Sequence, residues 1–165
     1  QLSLVHQVLN RVLRGKDRSA VRPWRDIIWL LLHALKKLPE SPHRTVYRGM
    51  QKKPADLGGN YEKEDEFTWS GFTSTSTNME VMKDFVGKVG NRTLFVLKSD
   101  GCGRGLVDFS LFPSEDEVVL PPNVRFEVES VFDAGHGFVI LECQQVESLD
   151  MLLDLSGGLV TCSLF

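Results

Sequence analysis

Metal-ligand spacing is missing from this chain. Its three cysteines, Cys102, Cys143 and Cys162, form no Cys-x-x-Cys pair, and its four histidines, His6, His33, His43 and His136, are scattered. A zinc site of the familiar Cys/His pattern is therefore not expected, and no metal is assigned. An odd, unpaired cysteine set fits reduced structural thiols better than a disulfide framework, which points to a reducing, cytoplasmic setting. Long apolar runs are also missing. The longest, Ile27 to Leu32, falls far short of the ~20 residues that cross a bilayer. No membrane partner is expected, and the run reads as the buried side of a helix. Excess charge of one sign is absent too: 19 basic against 22 acidic residues leave a net charge of −3. No strong field attracts nucleic acid or anionic lipid. The chain opens at Gln1 without an initiator Met or a signal-peptide pattern. It is expected to be a domain excised from something longer, acting as a monomer or as part of a multidomain chain.

Several enzyme signatures are lacking as well. Gly101-Cys102-Gly103-Arg104-Gly105 is glycine-rich, but it has neither the spacing nor the following helix of a dinucleotide fingerprint. There is no Gly-x-Ser-x-Gly elbow, and Asn91-Arg92-Thr93 reads as a chance sequon in a short turn.

What is present is an ordinary globular composition, 42% hydrophobic and 25% charged over 165 residues, enough for one domain with a sizeable core. The first 38 residues read as helical. Leu2, Val5, Val8-Leu9 and Val12-Leu13 recur at helical spacing, the pattern breaks from Gly15 to Ser19, and Pro23 suits a first helical position before a second helix from Trp24 to Leu38. Pro39 and Pro42 end it. Short strand-like runs follow at 45–48, 66–70, 71–76, 93–97, 118–120, 124–131 and 138–146. A helix near Asn78 to Val86 interrupts them, with Asn78 as its cap and Val81, Met82 and Phe85 facing the core. Helices first and mostly antiparallel strands after them argue an α+β fold. The segment 149–165 carries no legible function and reads as a C-terminal extension or linker.

Three local patterns carry chemistry. Thr45-Val46-Tyr47-Arg48-Gly49 delivers one arginine from a strand, and a guanidinium grips phosphate oxygens at two points. Phe72-Thr73-Ser74-Thr75-Ser76 puts Phe72, Ser74 and Ser76 on one strand face and the threonines on the other. Ser114-Glu115-Asp116-Glu117 leads into Val118-Val119-Leu120-Pro121-Pro122. If that stretch is extended, Glu115 and Glu117 share a face about 6–7 Å apart while Asp116 points away. Alone, each pattern has a bland reading: a strand end in solvent, an edge strand, an acidic turn. Together, in the order arginine, aromatic-x-Ser-Thr-Ser, Glu-x-Glu, they resemble the mono-ADP-ribosyltransferase family, specifically its arginine-directed branch. The resemblance runs from about Trp24 to Gln144, and the spacings from Arg48 to Ser74 and from Ser76 to Glu117 are those of the family.

The resemblance implies an ADP-ribosyltransferase-like fold, with two packed, mostly antiparallel sheets around an NAD cleft, and makes 1–148 a single catalytic domain. It implies NAD as co-substrate and a protein with an exposed arginine as acceptor. Glu117 would stabilise the oxocarbenium-like state in which the nicotinamide–ribose bond breaks, through the ribose 2-hydroxyl. Glu115 would dock and polarise the acceptor guanidinium. Ser74 would hold Glu117 in its rotamer, with Ser76 a second partner and Thr75 supporting the strand within the NAD-binding run. Arg48 would take phosphate, and Gly49 would let its backbone approach the nicotinamide carboxamide. Phe85 is a candidate for stacking near nicotinamide, or for the core. Phe112 would be an exposed aromatic on the loop that meets the target protein. Two other outcomes use the same residues or fold: an NAD glycohydrolase with water as acceptor, and a non-catalytic binding module. Intact Arg48, Ser74 and Glu117 argue against the last.

Overall fold

A computed structural model of the chain describes residues 2–80, 89–110 and 113–148. Among them are two α-helices, α1 (Leu2–Arg14) and α2 (Arg25–Lys37), joined by a 3-10 helix, Arg18–Trp24. Helix α1 stops where Gly15 N–H turns back to the Val12 carbonyl, and Asp17 caps the 3-10 segment through the Ser19 N–H. Pro23 lies inside that 3-10 segment rather than opening α2, which starts two residues later. Asp26 in the first turn of α2 and Lys36 and Lys37 in the last suit the helix dipole.

The apolar run Ile27–Leu32 is only partly the buried side expected of it. Ile28 and Leu32 are buried, with Leu35 continuing the stripe, but Trp29 and Leu30 are 59% and 62% exposed. Six consecutive helical residues sweep more than a full circle at ~100° each, so one i, i+4 stripe reaches the core and the rest face outward. Leu9 and Leu13 of α1 meet Ile28 and Leu32 of α2, and Val21, Trp24 and Phe72 pack against that cluster. Through Phe72 the helices are anchored beside the Ser-Thr-Ser segment.

Eight strands follow: β1 (Thr45–Met50), β2 (Glu66–Trp69), β3 (Thr73–Ser76), β4 (Arg92–Lys98), β5 (Arg104–Gly105), β6 (Glu117–Leu120), β7 (Val124–Gly135) and β8 (Phe138–Val146). Their order is β2-β7-β8-β4-β1-β3-β6-β5, with β4 and β8 parallel and the other pairings antiparallel. The α+β class and the mostly antiparallel sheet are as expected. The strands are linked in one ladder, so hydrogen bonding does not itself draw the two sheets. The link between β1 and β3 is, however, a single residue pair, Tyr47 with Ser76. Five strands lie on one side of this seam and three on the other.

The main core fills the larger group. Val46, Phe95, Leu97, Phe126 and Leu141 are fully buried, and the rings of Tyr61, Phe67, Trp69, Phe95 and Phe126 pack edge to face or offset, with centroids 5.0–5.9 Å apart. Val118 and Leu120 carry the core across to β6. Behind β6, a Cβ on Gly103 would sit 2.6 Å from Val118 Cγ1, so glycine at that position lets the loop pack closely on the strand. The expected helix from Asn78 to Val86 is described only at its start, Met79 and Glu80. Phe85, Phe112 and the segment 149–165 lie outside the described residues.

Candidate active site

The seam creates the site. Tyr47 pairs with Ser76, and two residues further Gly49 would face Ser74, but the strands part first. Arg48 fills the opening: its Nη1 donates to the Ser74 carbonyl, and its guanidinium lies 5.9 Å from the Trp69 ring centroid. Its Nε is shut off from solvent with no hydrogen-bond partner among the described residues. Burial, and then the charge of Arg14, push its pKa down from the usual arginine value. Gly49 follows on the same strand, paired with Leu94 on its far side.

On β3, the three hydroxyls part company. Ser74 is exposed, and its Oγ donates to Glu117 Oε1 at 2.6 Å, the bond the sequence pattern anticipates. Thr75 is 3% exposed and donates to the Val118 carbonyl at 2.7 Å. Ser76 is 2% exposed; its Oγ donates to the Glu115 carbonyl at 2.6 Å and accepts the Asn78 N–H at 2.9 Å. Neither Thr75 nor Ser76 turns its hydroxyl to the cleft. Their bonds tie β3 to β6 and to the Glu115 turn.

The Glu-x-Glu segment is not extended. Glu115 ends a 3-10 turn, Pro113–Glu115, Asp116 has φ 45°, and only Glu117 begins β6, opposite Ser76. The simple alternation that puts both glutamates on one face therefore fails at Asp116, whose carbonyl accepts the Thr77 N–H at 3.2 Å. Beside Glu117 opens a cavity of about 580 Å³ that Tyr47, Asn78, Asp116 and Glu117 help to line. Glu115 is not on its wall. In the loop before it, Phe109 is 72% exposed.

Two residues on α1 went unread in the sequence. Asn10 Nδ2 donates to the Phe72 carbonyl at 3.0 Å, and Asn10 Oδ1 lies only 2.7 Å from where a Cβ on Gly71 would be. One turn later Arg14 comes near enough to Arg48 to depress its pKa. The available signal was a polar pair at i, i+4 on an otherwise amphipathic helix, which is indistinguishable from a solvated face until the helix is docked. No group of three metal-ligating side chains occurs among the described residues.

Residues 3–148 match the family model described as NAD:arginine ADP-ribosyltransferase. The chain belongs to that family. This ADP-ribosyltransferase-family chain is 33% identical over 129 residues to the erythroblast NAD(P)+–arginine ADP-ribosyltransferase of Gallus gallus, covering 74% of itself and 39% of that protein. It is 35% identical over 117 residues to NAD(P)+–arginine ADP-ribosyltransferase 2 of the same organism, covering 69% of itself and 34% of the relative. It thus spans little more than a third of the length of these two relatives. Among solved structures it resembles Vis, an ADP-ribosyltransferase from Vibrio splendidus, in its complex with agmatine. That match has a TM-score of 0.68 at 30% identity, over 86% of this chain and 68% of Vis.

Proposed function

We propose that this domain transfers ADP-ribose from NAD to the arginine side chain of a protein, releasing nicotinamide. The observation that carries the reading is the Ser74–Glu117 hydrogen bond at an open cleft, with Arg48 and Arg14 on its flank. Two neighbouring guanidiniums and a buried, unpartnered Arg48 Nε favour an anionic ligand, and the diphosphate of NAD supplies one. NAD brings a ribose carbon whose bond to nicotinamide breaks with the electron pair leaving on the ring nitrogen. Glu117 then places a negative charge where positive charge develops on the ribose, and Ser74 keeps that carboxylate aimed. Gly49, on the strand edge facing the gap, lets the nicotinamide end approach main chain. The arginine nitrogen that attacks gives up one proton, which Glu115 or Glu117 takes and passes to water, so charge balances.

Glycohydrolysis is the second reading, because Ser74 stands in solvent and water reaches the same centre. Labelled NAD, incubated with and without agmatine, separates them. Label on agmatine supports transfer, and free ADP-ribose alone supports hydrolysis. No turnover at all sinks both. Glu115→Gln is expected to reduce agmatine labelling much further than hydrolysis; equal losses would mean that Glu115 acts on NAD itself.

A further inference from the structure

We infer that Asp116, the middle residue of the Glu-x-Glu segment, is a specificity-determining residue that docks the cationic acceptor in the cavity beside Glu117. The inference rests on the transferase reading above and adds to it the place and chemistry of the acceptor subsite.

Geometry comes first. Neighbouring residues of an extended strand face opposite ways, so Asp116 should point away from Glu117. Both instead line one cavity of about 580 Å³. The left-handed backbone at Asp116, φ 45°, breaks the alternation, so that Asp116 and Glu117 both border that cavity. A non-glycine residue in that conformation is uncommon, and aspartate is among the few that tolerate it. The kink is held from outside by two bonds to neighbouring carbonyls: Thr77 N–H to that of Asp116, and Ser76 Oγ to that of Glu115. Local strain maintained by surrounding bonds is a recurrent feature of functional sites.

Chemistry follows from the walls. Asp116 and Glu117 bring two carboxylates and His43 an imidazole, and no lysine or arginine lies among the described lining residues. Pro42, Met79 and Val107 add apolar surface, and Tyr47 a phenol. An arginine side chain has this division, an apolar methylene stem and a forked cationic head. Near Ser74, the hydrogen-bond partner of Glu117, Arg48 and Arg14 supply positive charge that suits a diphosphate and repels a guanidinium. Glu117 therefore adjoins both an anion-binding side and a cation-binding side. Glu115, off the cavity wall, keeps the proton-handling part given to it above.

The test compares wild type with Asp116→Asn, since asparagine adopts the left-handed conformation as readily as aspartate and only the charge is lost. Calorimetry of agmatine binding is expected to show affinity at least tenfold lower in the variant. In turnover, the ratio of agmatine labelling to free ADP-ribose is expected to fall by a similar factor, through the KM for agmatine and not through kcat. Should the variant's unfolding midpoint drop, Asp116→Gly, free of conformational strain at positive φ, gives the same readout. Unchanged agmatine affinity overturns the inference, and so does a loss confined to NAD or nicotinamide affinity, which would make the cavity the nicotinamide subsite. A wild type that releases no nicotinamide sinks the transferase reading, while the agmatine binding comparison still decides the role of Asp116.

Discussion

The hydrogen bond from Ser74 Oγ to Glu117 Oε1 does at the residue scale what neither side chain does alone: it fixes a carboxylate in an open cleft. Glu117→Gln keeps the shape and removes the charge, so nicotinamide release is expected to fall by about a hundredfold to a thousandfold, the range typical of losing one preorganised electrostatic group. Ser74→Ala leaves the charge but frees its rotamer, and a smaller fall in kcat is expected with NAD affinity little changed. Single-turnover nicotinamide release checks both; near wild-type release by Glu117→Gln would remove Glu117 from the mechanism. The pair was legible in the sequence because serine and glutamate sit in a linear pattern whose order alone is informative. The kink at Asp116 and the approach of Arg14 went unread, because a left-handed backbone and a docked helix exist only in three dimensions. The buried thiols are a separate residue-scale case. Burial pushes Cys102 and Cys143 from 9.0 up to about 12. Each therefore stays protonated in the folded chain while ionising in the unfolded one as pH rises past 9. The stability from keeping a neutral thiol buried is full below pH 9 and is lost as pH climbs toward 12. The stability difference between wild type and Cys143→Ala is expected to shrink over that window in urea titrations. A constant difference would mean the thiol is not held protonated.

At the scale of the element, β1 and β3 matter most, since Arg48 bridges them where their ladder stops. Lysine keeps the charge but loses the planar fork and its stacking on Trp69. Arg48→Lys is therefore expected to weaken NAD binding by tenfold or more in calorimetry; unchanged affinity would leave Arg48 as a strand clasp only. Helix α2 makes the opposite point. Leu30→Glu, on its 62% exposed face, is expected to stay within about 0.5 kcal/mol of wild type, as surface changes do. Leu32→Ala, on the buried stripe, should lose about 2–5 kcal/mol. Denaturant midpoints separate them, and a large loss at Leu30 would show that its face is covered. Seven of the eight strands were readable from apolar alternation between turn residues, with 138–146 bounded to the residue, while the two-residue β5 was not. How they join was not, because a one-pair seam leaves no trace in composition or periodicity.

For the whole molecule, one core spans the seam: Val118 and Leu120 of β6 pack with Val46, Phe95 and Phe126 from beyond it. The two strand groups are thus held by side chains where their backbones separate. That leaves main-chain N–H and C=O groups between β1 and β3 without strand partners, and such groups must find water or a ligand. NAD is expected to slow amide hydrogen exchange along β1 and β3 while leaving the β7–β8 ladder unchanged; uniform slowing would report global stabilisation instead. A place where recognition runs through peptide groups has a further property. Peptide groups do not mutate. Substitutions around the gap can alter volume or charge, but the donors and acceptors themselves persist for as long as the strands part at Tyr47 and Ser76. The oldest feature of this cleft to survive sequence drift should then be its outline, with the identity of the acceptor left to the residues around its rim.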